Sequence, residues 1–478
     1  MSRPARRPRT VQPSQPKLLR RSRLGAISLG CPKNLVDTEV MLGLLREAGF
    51  RIVTDPRQAD VLLVNTCCFI APARQESAEA LAEAAALRRE GTAQALICAG
   101  CWPQADAPGL RARFPEIDAL IGPGDVGKIV SVIEQAIAGV PTLHPVSPPS
   151  YLHDQTTPRV RATPPWTAYL KIAEGCDHRC RFCVIPRLRG RYRSRTADSL
   201  LAEARALAAS GVRELNLIAQ DTTAYGRDLA GPDIADLLAA LAGIEEIHWL
   251  RLLYAFPSRV SARLIEVMAG HPAICQYIDL PFQHADRELL RRMGRPGDGE
   301  AYLRLIARLR EAMPDIAIRS TFLVGFPGED DRAFGQLLAF LEAARLDRAG
   351  AFCYSREAGT PAATRPDQVP AEVAEARYHQ LMARQQAISL ARNQAWVGRE
   401  IEVLIESPGA ERGEWVGRSF RDAPEIDGSV LVRSPHSLRP GEFVRATITG
   451  AEPYDLAGRL AEPPRPTPQT AQTNRCTR

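Results

Sequence analysis

Residues 174–190 read EGCDHRCRFCVIPRLRG, which places Cys176, Cys180 and Cys183 in a C-x-x-x-C-x-x-C spacing directly after a strand-like run. A short loop turns three such side chains inward, so their thiolates can converge on one metal centre. A structural zinc site takes four ligands, and His178 is the available fourth. An iron–sulfur cubane is normally held by four cysteines; with three, one iron stays open for substrate or cofactor. No fourth cysteine lies nearby, and the His178 ring competes with Cys180 for space inside the tight loop. Reading the three as unrelated cysteines requires a coincidence of spacing.

The loop stands in a regular alternation. Strands are expected near 168–173, 213–219, 247–253, 276–280, 316–323 and 348–353, with helical segments between them. Six βα units in about 225 residues suit a partial (β/α)6 barrel better than a closed one of eight. Upstream, LGAISLG, ADVLLVNTC, QALICAGC and IDALIG are strand-like, and each is followed by a helical pattern. The first of these, NLVDTEVMLGLLREAG, stops at Gly49. This predicts an α/β domain with a doubly wound parallel sheet. Downstream of a helical stretch from Pro370 to Gln394, REIEVLIE, EWVGRSF, GSVLV, EFVRATITGAE and LAGRLA are short strands of a small β-barrel. The expected order is a disordered basic tail (1–23), a parallel-sheet domain (24–140), a Pro-rich linker (141–166), the partial barrel (167–392), the β-domain (393–461) and a frayed tail (462–478).

Composition sets the class. With 45% hydrophobic and 24% charged residues, the chain is that of a globular protein. No run approaches the roughly 18 apolar residues of a membrane span, and nothing resembles a secretory leader. The net charge of +6 is mostly a tail: without the eight Arg/Lys of residues 1–23, 53 basic residues face 55 acidic ones. Eleven cysteines without a leader indicate the reducing cytoplasm, where clustered cysteines serve metal or catalysis rather than disulfides.

A second set of cysteines is dispersed. Cys31 follows ISLG, Cys67 follows VLLVNT and Cys101 follows LICAG, each at the carboxyl end of a different expected strand. In an open α/β sheet those ends share the rim where ligands bind, so the three can meet at a second metal site. Core cysteines are the alternative reading. In NTCCFI (65–70), neighbouring side chains point in roughly opposite directions, so one of Cys67 and Cys68 faces the rim. The register gives that place to Cys67 and leaves Cys68 to packing. Cys98 and Cys275 lie in apolar runs and read as core.

The central triplet, on the loop after the first strand of a partial barrel, resembles the motif of the radical S-adenosylmethionine superfamily. LGCPKNLVDTE, VNTC-FI and GC-PQ resemble the N-terminal motifs of the methylthiotransferase family, and the β-domain resembles a TRAM module. Cys68 departs from the family, which usually has glycine there. The resemblance implies a [4Fe-4S] cluster on Cys176, Cys180 and Cys183, whose open iron is chelated by S-adenosyl-L-methionine and whose electron cleaves it to a deoxyadenosyl radical. It implies a second [4Fe-4S] cluster on Cys31, Cys67 and Cys101. It also sets Phe182 against the adenine, with Gln220, Asp221 and Tyr225 and then Val324, Gly325, Gly328 and Glu329 at strand ends facing the cofactor. A plain turn before a helix is the other reading of GFPGE. No catalytic acid or base stands out. The arginines at 187, 189, 191, 193 and 195 are expected on one side of an extended segment, facing an anionic group or solvent.

CPKNLVDTE, KIAEGCDHRCRFC and RDAPEIDG resemble the RimO branch of that family, whose substrate is an aspartate of ribosomal protein S-twelve, rather than the branch that modifies adenosine in transfer RNA. Residues 393–461 carry eight basic and eleven acidic residues, a sign that suits a basic protein better than an RNA backbone. The resemblance therefore implies methylthiolation of the aspartate β-carbon, with two S-adenosylmethionine per turnover. Its expected partners are S-twelve, free or in the small subunit, and a reductant such as flavodoxin or ferredoxin. Nucleic acid is a secondary contact at most, and no membrane is involved. A tRNA methylthiotransferase and a non-enzymatic iron–sulfur protein that binds RNA are the rivals.

Overall fold

A computed structural model describes residues 22–140 and 147–461, so the expectations for both tails and for residues 141–146 lie outside the described residues. Two compact units form. Of the described residues, the first takes those up to Pro164 together with Lys171–His178 and Cys183–Glu203; the second takes Pro165–Leu170, Arg179–Phe182 and those from Ala204 to residue 461.

In the first unit, β1 (Arg23–Ser28), β2 (Arg51–Val53), β3 (Val61–Thr66), β4 (Ala95–Gly100) and β5 (Ala119–Ile121) form a parallel sheet in the order β2-β1-β3-β4-β5. The crossovers are α1 (Pro32–Glu47), α2 (Ala71–Arg89), α3 (Cys101–Arg113) and, after β5, α4 (Ile129–Ile137). Strand alternation splits the core in two. Val61, Leu63, Ala95, Ile97 and Ala99 face one apolar cluster, while Leu62, Val64, Leu96 and Cys98 face the other. Both faces of β3 and β4 are thus buried, which is why VLLVNT and ALICAG read as continuous apolar runs. Edge strand β2 was not legible: three residues beginning with an exposed Arg51 carry no period-two signal. A minimal hairpin, β7 (Ala173–Glu174) with β8 (Arg193–Ser194), and α5 (Ile185–Arg189) belong to this unit too.

Most of the central sheet lies in the second unit. Strands β6 (Thr167–Lys171), β9 (Glu214–Ile218), β10 (Trp249–Leu252), β11 (Ile274–Asp279), β12 (Ala317–Val324) and β13 (Arg348–Cys353) stand in chain order. This is the expected open six-stranded barrel. A 24-residue helix, Ala371–Gln394, leads to a closed barrel of β14 (Glu400–Pro408), β15 (Glu414–Ser419), β16 (Val430–Arg433), β17 (Phe443–Ala451) and β18 (Leu456–Leu460).

The segment after β15, read above as a family signature, has a structural task. Arg418 Nη2 donates to Glu214 Oε2 (2.7 Å), Arg348 pairs with Asp422 (2.8 Å), Arg421 with Asp347 (3.0 Å), and Tyr277 Oη donates to Asp427 (2.7 Å). RSFRDAPEID is a strap between β-domain and barrel, buried except at Glu425 and Ile426 and, in part, Phe420 and Asp427. Its inward charges, two of each sign, leave six basic and nine acidic residues elsewhere in 393–461, so the acidic balance is unchanged. Glu214 is fully buried; burial pushes its carboxyl up, but Arg418 and Arg251 more than offset this and hold it down at about 2. Glu214→Gln removes the carboxylate facing buried Arg251 and leaves Arg418 with Glu406 alone, and is expected to cost about 3–5 kcal/mol at pH 7. Because the folded carboxyl titrates below its unfolded value, the contribution is complete above about pH 4.5 and fades as pH falls toward 2. Denaturation of wild type and E214Q at pH 7 and pH 3 checks this: the gap between them should narrow in acid, and a constant gap contradicts it.

Candidate iron–sulfur sites

Because the strand order is 2-1-3-4-5, the crossovers reverse direction between β1 and β3, opening a crevice at their carboxyl ends. Cys31 stands two residues past Leu29 and is the N-cap of α1; Cys67 directly follows β3; Cys101 directly follows β4 and begins α3. Two helix N-termini therefore meet this rim, and their partial positive charge favours thiolates. The structure brings the three sulfurs into mutual electrostatic range. Burial, and next the Cys101 thiol, push Cys67 up to about 12, with Cys31 adding to the effect. To hold iron, such a thiol would bind as the thiolate, with its proton released to solvent.

Glycine makes the approach possible. Gly30 has φ +88°, and a Cβ there would lie 2.6 Å from the Cβ of Cys67 and 2.9 Å from its sulfur. Gly100, at φ +97°, would collide with Asn65 and the Thr66 carbonyl. The strand ends are then fixed by side chains. Asn34 Nδ2 donates to the Leu29 carbonyl (2.8 Å), Asn65 Nδ2 to Thr38 Oγ1 (2.8 Å), and Ser77 Oγ to the Cys67 carbonyl (2.8 Å). Gly30→Ala combines a strained backbone, costing about 1–3 kcal/mol, with displacement of Cys67. Its expected result is loss of iron from this triplet with the central triplet still loaded, measured by iron content in the variant and in G30A combined with Cys176→Ala. Full iron in G30A contradicts this account of Gly30.

Cys68 points the other way, into the apolar cluster of Val64, Leu81 and Trp102. Cys98 is also core, and burial pushes it up to about 12; Cys275 is raised to about 11 by burial as well. Cys353 is exposed.

A charge cluster that the sequence reading missed lies beside Cys101. Arg189 Nη2 donates to Cys101 Sγ (3.4 Å) and to Asn34 Oδ1 (3.0 Å), while its Nη1 donates to Asp37 (2.6 Å) and Glu174 (3.2 Å). Lys171 Nζ donates to Asp37 and, at 2.8 Å, to Glu174. The available signal was the spacing of Asn34 and Asp37, three apart and so on one face of α1. The expected extended run of arginines is corrected here. Pro186 opens helix α5 and Gly190, at φ +74°, ends it; Leu188 enters the apolar core and carries Arg189 inward. Arg187 and Arg191 are exposed, and Arg195 is buried against Glu203 (2.5 Å).

Cys176, Cys180 and Cys183 lie on the irregular loop 175–184. Gly175, at φ +85°, turns the chain where a Cβ would strike the Arg191 carbonyl, and the Cys176 N–H donates to the Gly190 carbonyl (3.0 Å). Arg295 Nη1 lies 3.8 Å from Cys180 Sγ. Of the remaining expected contacts, Phe182 lies on this same loop, and the others stand at or after the ends of β9 and β12. Phe182 meets Phe326 edge to face at 6.4 Å; Gln220 and Asp221 follow β9; Val324 ends β12. Asp221 accepts from Thr223 Oγ1 (2.5 Å) and pairs with Arg259 (3.2 Å). In GFPGE, the Gly325 N–H donates to the buried Glu329 carboxylate, which Arg377 and His284 also engage, so Glu329 holds the turn. Tyr225 is buried. Among the described residues, no three His, Cys, Asp or Glu side chains stand close enough to hold a single ion. A cubane binds its cysteines on separate irons and so spreads them further apart. No helix among the described residues is long and apolar enough to cross a membrane.

Residues 170–341 match the Radical SAM superfamily, residues 397–461 the TRAM domain and residues 23–122 Uncharacterized protein family UPF0004. In fold, the chain is similar to the radical S-adenosylmethionine methyltransferase TsrM from Kitasatospora setae, solved with cobalamin and a [4Fe-4S] cluster bound: TM-score 0.54 and 19% identity, over 72% of this chain and 77% of that one. Fold and sequence motifs together define a radical SAM enzyme. The chain is 50% identical to ribosomal protein uS12 methylthiotransferase RimO of Desulforudis audaxviator, over 92% of this chain and 97% of the relative. Identity to RimO of Heliobacterium modesticaldum is 49% (91% and 95% covered), and to that of Geobacter sulfurreducens 45% (92% and 99%). The chain belongs to the RimO family of methylthiotransferases.

Proposed function

We propose that this enzyme methylthiolates the β-carbon of an aspartate in ribosomal protein uS12 (S-twelve), using S-adenosylmethionine and two [4Fe-4S] clusters. The observation that carries the two-cluster part is the meeting of Cys31, Cys67 and Cys101 at one sheet rim in a chain with a separate C-x-x-x-C-x-x-C loop. The substrate follows from the names of the full-length relatives.

In this reading Cys176, Cys180 and Cys183 hold the cluster that serves the first cofactor, and Cys31, Cys67 and Cys101 hold the one that carries sulfur. When bound, the clusters and S-adenosylmethionine supply one-electron chemistry, which an unactivated C–H bond requires because no acid or base has a handle on it. The protein's part is positional. Phe182 on the cysteine loop, with Gln220, Asp221, Val324 and Gly325 at the ends of β9 and β12, is assigned to the cofactor, and the glycines at 30 and 100 let the sulfur-carrying thiols close on one another. The acidic β-domain offers a surface of suitable sign for a basic ribosomal protein. A cytoplasmic site of action and a low-potential donor such as flavodoxin or ferredoxin complete the proposal.

The test is mass spectrometry of uS12 and of tRNA from cells lacking this protein. Loss of the methylthio group from the uS12 aspartate with intact tRNA is the expected result; loss from tRNA alone overturns the substrate.

A further inference from the structure

We infer that Arg189 is a positioning residue for the sulfur-carrying cluster: it holds the Cys101 thiolate through a charged N–H···S bond, sets the cluster's reduction potential, and ties that site to the segment of the central cysteine loop. The inference rests on the proposal that Cys31, Cys67 and Cys101 hold a cluster.

The geometry leaves the guanidinium little freedom. Nη1 serves Asp37 and Glu174, and Nη2 serves Asn34 and the Cys101 sulfur, so each terminal nitrogen has two acceptors. Arg189 is 1% exposed, and a buried fork anchored at three oxygens cannot swing away from the sulfur. Charge is balanced around it: Arg189 and Lys171 face Asp37 and Glu174, all buried. The thiolate of Cys101 therefore joins a locally neutral cluster with an N–H already aimed at it. Hydrogen bonds to cluster sulfurs and nearby charge are among the levers that set iron–sulfur potentials. A cation beside the ligand favours the more negative, reduced form.

The place of Arg189 in the chain gives the bond a second consequence. The residue lies six positions after Cys183, and its neighbour Gly190 accepts a hydrogen bond from the Cys176 N–H at 3.0 Å. Arg189 and Gly190 thus bond to one cysteine of each triplet. Radical formation and sulfur delivery must reach the same carbon, and this dipeptide links the two cysteine segments through one side chain, that of Arg189, and one backbone carbonyl, that of Gly190.

The experiment uses the full chain with Cys176, Cys180 and Cys183 all replaced by alanine, so that any cluster present is the one on the other triplet. Iron content near four per chain in this background is the precondition; absence of iron there defeats the two-cluster proposal rather than the role of Arg189. In that background, R189Q and R189K are compared with Arg189 by potentiometric titration followed by electron paramagnetic resonance. R189Q is expected to lower the fraction reduced at a fixed potential about tenfold, a shift of about 59 mV to more negative values for a one-electron couple. R189K keeps the buried charge balance but cannot serve four acceptors at once, so a smaller shift of the same sign is expected. It also decides the matter if R189Q does not fold. Unchanged potential in the folded variants, with iron retained, overturns the inference.

Discussion

Cys180→Ala is expected to abolish formation of 5′-deoxyadenosine from S-adenosylmethionine, while the chain stays folded and keeps about half its iron. On the proposed assignment the central cluster has three cysteine ligands and no spare, since the loop 175–184 carries no thiol besides Cys176, Cys180 and Cys183. The loss should exceed the roughly 10–100-fold typical of removing an outer-shell partner. Cys180 is partly exposed, and its named neighbour is Arg295, itself fixed by a hydrogen bond to the Pro281 carbonyl (2.5 Å) and by stacking on Phe256 at 4.3 Å. Truncating this thiol removes a ligand without opening an apolar core. Chromatographic detection of 5′-deoxyadenosine after reduction with dithionite provides the check; cleavage within tenfold of wild type contradicts the assignment.

Cys31→Ala should separate the two halves of the reaction. Cys31 belongs to the rim of the parallel sheet, so its loss is expected to stop methylthio transfer to uS12 while deoxyadenosine still forms at a rate within about tenfold of wild type. Cys68→Ala, which alters a side chain among Val64, Leu81 and Trp102, should leave both activities in place. Equal loss of cleavage and transfer in C31A contradicts separate sites, and loss of transfer in C68A contradicts the division between the two adjacent cysteines.

How much of this was legible in the sequence depends on the range of the signal. Strands β3 and β4 were plain because both faces are buried and the apolar run is unbroken. The six barrel strands were plain because each βα unit repeats one pattern. Strand β2 and the β7–β8 hairpin escaped, since two or three residues held by neighbours carry no periodicity of their own. The rim cysteines could be grouped from sequence because the carboxyl ends of parallel strands share one edge. Their glycine partners could not, because the collision of a Gly30 side chain with Cys67 is a contact across 37 positions. Arg189 was misplaced for a related reason. Five arginines at alternate positions imitate a strand face, but Pro186 and Gly190 mark out a short helix, and tertiary burial of Leu188 decided the matter. The task of RDAPEIDG was not legible: its aspartates face Arg319 and the buried Arg348 of the barrel, partners that no local pattern reveals.

Counting iron and sulfide after anaerobic reconstitution of three chains tests the two-cluster account most directly. The wild type should hold about eight irons, and the triple-alanine variants of Cys31/Cys67/Cys101 and of Cys176/Cys180/Cys183 about four each, with matching sulfide. A wild type with about four irons, unchanged by removal of Cys31, Cys67 and Cys101, would show that the sheet rim carries no cluster and contradict the account.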